Sequence, residues 1–422
     1  MIIVQYFPKE VNIMAYINRQ LQDKVLQLSK EYPVILITGP RQVGKTTMLR
    51  ELMKHEVQPR EYVSLDDLNE RDLAQNDPAM FLQIHQPPLL IDEVQYAPQL
   101  FTYIKIHADQ KHLPGSFWLT GSQLYKLMRG VQESLAGRVA LLKLFSLSQS
   151  ERYGSEGAPF QVNLTNLRSK SNSAPLLTAP NIFEDIWRGS MPALCSGEIS
   201  DRNIFYSGYL STYLNRDVRE LSNAIDSLKF MRFITAVAAR CSQQLNYKGI
   251  ADDADIDQAT VKNWLNILET LGIIFYLHTY SNNVLKRTLK TPKLYFYDTG
   301  LVCYLTKWST PEVTQNGAMN GALFENYVVS EIMKSYYYHG SEPYAYYYRD
   351  KDAKEIDLLL ESDGKLYPLE IKKSAMPEKR MTAAFSILDK APLKRGTGAV
   401  ICLSEKLGAF DSETLIIPVG YI

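Results

Sequence analysis

The chain is short of several things, and each shortage excludes something. Cysteine occurs four times in 422 residues, at Cys195, Cys241, Cys303 and Cys402, with no two close in sequence. That spacing argues against a zinc cluster or a dense disulfide framework and for a reducing compartment. Neither sign of charge is in excess, because Lys+Arg and Asp+Glu both total 46. No global basic field therefore marks nucleic-acid binding, and any such contact must come from a local patch. No apolar run approaches the length of a membrane span, so no membrane partner is expected. Met1 to Pro8 lack a basic segment followed by a long apolar one, so no signal peptide is expected and the predicted location is cytoplasmic. Met14 opens a helix-like run from Tyr16 to Ser29, which makes Met1 and Met14 both candidate starts. Internal repeats are absent.

What is present is a globular composition, 45% hydrophobic and 22% charged, long enough for two or three domains. Its clearest motif is Gly39-Pro40-Arg41-Gln42-Val43-Gly44-Lys45-Thr46, between the apolar run Val34-Ile35-Leu36-Ile37 and a helix-like stretch from Thr47 to Leu52. Strand, glycine loop and helix is the context of a phosphate-binding loop. Its backbone N–H groups and the helix N-terminus attract phosphate oxygens. Lys45 would reach the β- and γ-phosphates of ATP, and the Thr46 hydroxyl would hold Mg²⁺. Downstream, Leu89-Leu90-Ile91-Asp92-Glu93 is an apolar strand ending in two carboxylates. Asp92 is expected to order the magnesium shell and Glu93 to polarise the attacking water. A further strand ends in Thr120-Gly121-Ser122-Gln123, where Ser122 or Gln123 can sense the γ-phosphate. Arg138 is either an arginine finger toward a neighbouring subunit or a surface arginine paired with a carboxylate.

Gly-Pro-Arg-Gln-Val-Gly-Lys-Thr-Thr at 39–47, Leu-Ile-Asp-Glu-Val-Gln at 90–95, Leu-Thr-Gly-Ser at 119–122 and Leu-Ala-Gly-Arg at 135–138 together resemble a group of prokaryotic AAA+ ATPases with a C-terminal DUF4143 domain. The resemblance runs from Met14 through nearly the whole chain. It implies an ATPase core binding ATP and Mg²⁺ through Gly39–Thr47, a lid or winged-helix region, a nuclease-like end and, with Arg138 and Arg216 as candidate fingers, a homo-oligomeric ring of six. The sensor strand departs from the pattern, since it ends in Ser122-Gln123 where many AAA+ proteins have Asn.

Arg152 to Pro180 lacks periodicity and reads as a long loop. Beyond it, Arg216 lies in a helical run from Tyr206 to Leu221. It either contacts ATP or pairs with Glu220 one turn on. Helices, an Asp257-capped run to Gly272 and two strands then suggest a winged helix. Its recognition helix is not strongly basic, and its wing carries Lys286, Arg287, Lys290 and Lys293. The module either touches DNA or packs on the ATPase.

The terminal third orders a helix bearing Glu325, a strand bearing Asp357, a turn at Asp363-Gly364 and a strand bearing Glu370 and Lys372. Residues two apart on a strand share a face, so Glu370 and Lys372 point together and Asp357 can meet them. This resembles the PD-(D/E)xK nuclease arrangement. Asp357 and Glu370 would hold Mg²⁺, joined by the Ile371 carbonyl, with Lys372 orienting or deprotonating the attacking water and Glu325 in the outer shell. The tyrosines from Tyr336 to Tyr348 either stack on unpaired bases or pack strands.

The expectation is therefore an α/β chain. Residues 1–150 form a P-loop AAA+ ATPase domain with a parallel sheet, 151–180 a linker, 181–310 a helical and winged-helix region, and 311–422 a restriction-endonuclease-like α/β domain. The expected partner is DNA, with four-way (Holliday) junctions as one candidate. A nucleotide switch that binds a partner protein is the alternative.

Overall fold

The computed structural model describes residues 16–122, 135–170, 174–214, 218, 226–281, 290–350, 352 and 354–422. Met14, Gln123, Arg216, Glu220, Lys286 and Arg287 lie outside them.

The first sheet holds β1 (Val34–Thr38), β2 (Glu61–Ser64), β3 (Leu89–Asp92), β4 (Phe117–Gly121) and β5 (Val139–Lys143) in the order β2-β3-β4-β1-β5. Every pairing is parallel. β1, β3 and β4 are buried along their whole length, as parallel strands covered on both faces must be. Alternate residues of β1 serve different cores. Val34 and Leu36 face a cluster built with α3 (Leu68–Asn76), α4 (Pro78–Ile84) and α5 (Leu100–Lys111). Ile35 and Ile37 face α1 (Leu21–Leu28) and α2 (Lys45–Met53), in a core that continues into the rest of the chain.

The second sheet joins the middle and terminal regions. Helices Ser227–Ala238, Tyr247–Ala254 and Gln258–Thr270 are followed by the antiparallel pair β7 (Ile274–Thr279) and β8 (Lys293–Phe296), with the short β6 (Gln243–Gln244) on the outer side of β8. The Asp257 side chain caps the third helix by accepting from Thr260 N at 2.8 Å. The long helix Asn320–Tyr337 leads to β9 (Ala345–Arg349), β10 (Glu355–Ser362) and β11 (Lys365–Lys372), a meander turned at Asp363-Gly364 where both residues have positive φ. Beyond β11 come β12 (Lys394–Arg395), β13 (Gly398–Cys402), β14 (Gly408–Asp411) and β15 (Thr414–Pro418). β7 pairs in parallel with β9 through His278↔Tyr346 and Thr279↔Tyr347, so the sheet runs across the expected boundary at 310/311.

The stretch expected as a linker is packed. Phe160, Val162, Leu167 and Leu177 are buried, and Leu164–Lys170 is helical. Phe160 N donates to Ser335 Oγ at 3.0 Å and Tyr336 O–H to Phe160 O at 2.6 Å, which straps the segment to the long helix. Its apolar residues join the main core at irregular spacing, which leaves no period to read. In the tyrosine cluster, Tyr338 and Tyr347 are buried packing residues, whereas Tyr344 is exposed.

Phe160→Ala should lower stability by about 3–5 kcal/mol, the usual cost of emptying a buried phenylalanine site. Chemical denaturation measures this, and an unmoved midpoint would return the segment to the status of a solvated linker.

Candidate active site

Gly39 and Gly44 set the shape of the loop between β1 and α2. Gly39 has φ +147°, and a Cβ there would lie 1.8 Å from the Leu144 carbonyl oxygen. Gly44 has φ +88° and precedes the first residue of α2, Lys45, so the loop enters the helix through a left-handed residue. Lys45 Nζ donates to Gly39 O at 2.9 Å and to Pro40 O at 2.7 Å, within the loop itself. The back of the loop is held by the buried Arg19. Its guanidinium donates to Val43 O at 2.6 Å and Phe145 O at 2.8 Å and pairs with Glu151 at 3.0 Å.

Parallel register brings Asp92, at the end of β3, to the same edge as the loop. Thr46 Oγ1 donates to Asp92 Oδ1 at 2.6 Å, and Thr120 Oγ1 on the intervening strand β4 donates to the same oxygen. The Glu93 backbone N–H donates to Thr120 Oγ1 at 3.1 Å. Glu93 takes a left-handed φ of 55°, which turns its carboxylate to accept from Ser122 Oγ at 3.0 Å and from Gln95. Burial raises the pKa of Asp92, an effect that hydrogen bonds from Thr120 and Thr46 oppose. Burial also disfavours ionised Glu93, but Lys45, the Gln95 hydrogen bond and Arg41 outweigh it and lower its pKa. An ionised Glu93 is suited to accept a proton. Thr46 and Asp92 are oxygen donors at one point, which suits a magnesium ion that binds few protein groups and keeps water.

A cavity of about 260 Å³ lies beside the loop, lined by Tyr16, Ile17, Gly44, Thr47, Leu147 and Pro192 among others. Gln42 has φ 62° within the loop, and Arg41 reaches the Tyr96 hydroxyl at 3.4 Å. Arg138 sits at the start of β5, the sheet end away from the loop, and pairs with Asp109 on α5. It therefore does not contact the loop of its own chain. Neither Arg19 nor Thr120 stood out in sequence. Arg19 is a lone arginine before the first strand, whereas Thr120 lies inside a recognised motif.

The terminal residues also meet, but differently from expectation. Lys372 Nζ lies 2.9 Å from Asp357 Oδ2 and 2.7 Å from Glu370 Oε2, and Ile371 N–H donates to Asp357 Oδ2 at 2.9 Å. Glu325 accepts from Tyr295 O–H at 2.7 Å and from Lys293 Nζ at 3.0 Å, and Lys293 Nζ lies 2.5 Å from Glu355. Lys293 was expected on an exposed wing. It is instead 4% exposed, on the face of β8 turned toward the carboxylates. Among the described residues, no three His, Cys, Asp or Glu side chains are arranged to share a metal ion. Asp357 and Glu370, expected to hold magnesium, are contacted by the Lys372 ammonium group, and Glu325, expected in the outer shell, by that of Lys293. Burial and the nearby Asp357 raise Glu370 to about 9 and Glu325 to about 7. Burial opposes ionisation of Asp357, yet Lys372 and Lys293 lower its pKa.

Residues 31–153 match the family model of an AAA domain, residues 180–312 that of a domain of unknown function, DUF8612, and residues 320–422 that of another, DUF4143. An uncharacterised protein of Mycobacterium tuberculosis is 28% identical over 382 residues, covering 90% of this chain and 79% of that protein. An uncharacterised protein of Methanocaldococcus jannaschii is 23% identical over 355 residues, covering 78% of this chain and 73% of that protein. Among solved structures, a Walker-type ATPase of Pyrococcus abyssi aligns with a TM-score of 0.44 at 15% identity, over 68% of this chain and 94% of that one. No helix among the described residues is long and apolar enough to cross a membrane.

Glu370 and Glu325 bind protons more tightly folded than unfolded. That contribution to stability is full below the ordinary glutamate pKa and is lost as pH rises through about 7 for Glu325 and about 9 for Glu370. Denaturation midpoints measured from about pH 5 to about pH 9 should fall less steeply in Glu370→Gln than in the unsubstituted chain. Identical slopes would assign Glu370 an ordinary pKa.

Proposed function

We propose, from an AAA domain at residues 31–153 joined to a DUF4143 domain at residues 320–422, that this chain hydrolyses ATP and couples turnover to action on DNA, with branched DNA such as four-way junctions as its substrate class. One observation carries the ATPase reading: the 2.6 Å bond from Thr46 Oγ1 to Asp92 Oδ1 beside an ionised Glu93.

The residues divide the work. Backbone N–H groups from Gly39 to Thr47 and the N-terminus of α2 face the phosphates. Lys45 exchanges the Gly39 and Pro40 carbonyls for phosphate oxygens, a change of partner that needs only its flexible stem. Tyr16, Ile17, Leu147 and Pro192 offer an apolar cavity for the base. Thr46 and Asp92 hold magnesium, which when bound neutralises charge developing on the phosphates. Glu93 orients the attacking water and accepts its proton, while Ser122 and Gln95 fix the direction of its carboxylate. Arg138 lies away from its own loop, so it serves catalysis only across subunits, which fits a homo-oligomeric ring such as a hexamer.

The DNA reading is supported by the outer face of helix Gln258–Thr270, where Gln258, Lys262, Asn263 and Asn266 are all exposed. Amide and ammonium groups of this kind read base edges in a major groove. Asp252, Asp253, Asp255 and Asp257 are also exposed, around the turn leading into that helix, and would repel phosphates. Those aspartates favour the second reading, a nucleotide switch whose middle and terminal regions recognise a partner protein.

Glu93→Gln should retain ATP affinity and lose hydrolysis by at least about a hundredfold, as read by nucleotide binding and phosphate release. Wild-type turnover in that variant would assign the water to another residue. Four-way junction DNA at low salt should raise the ATPase rate several-fold, with smaller responses to duplex and single strands. A rate indifferent to all three would favour the switch.

A further inference from the structure

Resting on the reading of the terminal carboxylates as a nuclease-like centre, we propose that Lys293 is a resident cation that the middle region inserts into this cluster, closing it to divalent metal.

Lys293 belongs to β8, the second strand of the hairpin that follows helix Gln258–Thr270. The acidic groups belong to the terminal domain: Glu325 on the long helix, Glu355 and Asp357 on β10, and Glu370 on β11. Lys293 Nζ lies within 3.0 Å of Glu325 and 2.5 Å of Glu355. Tyr295, two residues along β8 and so on the same face, donates to Glu325 at 2.7 Å. From the open side Lys372 engages Asp357 and Glu370. Thus two ammonium groups contact all four carboxylates.

A magnesium ion needs oxygen ligands at about 2.0–2.1 Å in near-octahedral array. Here each carboxylate already directs an oxygen at an ammonium hydrogen. Lys372 can leave readily, because its side chain is 35% exposed. Lys293 cannot, because its side chain is 5% exposed and its strand is hydrogen-bonded on both sides, to β7 and β6. Opening the cluster to metal thus requires β8 to shift. The charge of the terminal site is coupled to the position of the hairpin.

The test is Mn²⁺ binding to the full chain without nucleotide, followed by the paramagnetic resonance of free Mn²⁺. Asp92→Asn is present throughout to silence the other magnesium position. In that background the Lys293 chain should take up no Mn²⁺ at submillimolar concentration. Lys293→Met, which keeps the stem and removes the charge, should bind one equivalent at least tenfold more tightly. Lys293→Arg should behave as the parent, and adding Asp357→Asn to Lys293→Met should abolish the gain. Equal affinities with lysine and methionine would overturn the proposal. A second measurement needs no change at Lys293: Mn²⁺ should leave the melting temperature of the Asp92→Asn chain unmoved. An Asp357-dependent rise there would also overturn it, even if Lys293→Met failed to fold. Gain of Mn²⁺ without DNA cleavage would leave the plug standing and remove the nuclease reading.

Discussion

Asp92 is fixed by two threonines, and the nucleotide site depends on that arrangement. β4 lies between β1 and β3, so the loop after β1 and the acid ending β3 are not on neighbouring strands. Thr120, at the fourth position of β4, spans the gap by donating to Asp92 while accepting from the Glu93 N–H. Thr46 closes the other side from the first turn of α2. A single carboxylate oxygen is thus shared by the helix that receives phosphate and the strand that separates the two motifs. The left-handed turn at Glu93 follows from the same geometry, since the chain must reverse as soon as β3 ends.

The parts legible in sequence were those whose chemistry is local. The glycine loop carries its strand, turn and helix within a few residues, and the Asp92-Glu93 pair ends an unbroken apolar strand. In the terminal domain the two-residue period of a strand was enough to bring Glu370, Lys372 and Asp357 together, and the structure gives Lys372 a contact with each acid. Long-range partners were illegible. Arg19 acquires its role from Val43, Phe145 and Glu151, residues 24 to 132 positions away. Lys293 looked like one more basic residue of a wing, because nothing local signals that β7 joins β9 and turns β8 toward the terminal acids. Strand pairing across a domain boundary decides which face of a hairpin is solvent, and no periodicity within the hairpin reports it.

The long helix Asn320–Tyr337 links these two sets of contacts. Its 18 residues span about 27 Å. Near its start Glu325 receives Lys293 and Tyr295, while Asn326 binds both the N–H and the carbonyl of Phe296 at 2.8 Å. Near its end Lys334 donates to Leu147 O at 3.0 Å, and Glu331 accepts from Gln149 N at 2.6 Å. Just past the helix, the Tyr338 ring lies 5.3 Å from the Arg19 guanidinium that grips the phosphate loop. One rigid element therefore touches the support of the nucleotide loop at one end and the carboxylate cluster at the other.

That placement constrains how the regions can move. Glu331 and Lys334 are buried, and their partners are each other, specific groups of the 147–152 segment and Ser190. Buried ion pairs contribute little net stability against apolar residues of the same volume, but separating one partner leaves an uncompensated charge and costs about 3–5 kcal/mol. Sliding the helix along the ATPase would break several such contacts together, so the helix and the back of the nucleotide site are bound to move as one. At the opposite end β8 is held to the same helix through Asn326 and Glu325. There the contacts to β8 are made to one strand of a hairpin, and a shift of that strand changes the partners of Glu325 without disturbing Arg19.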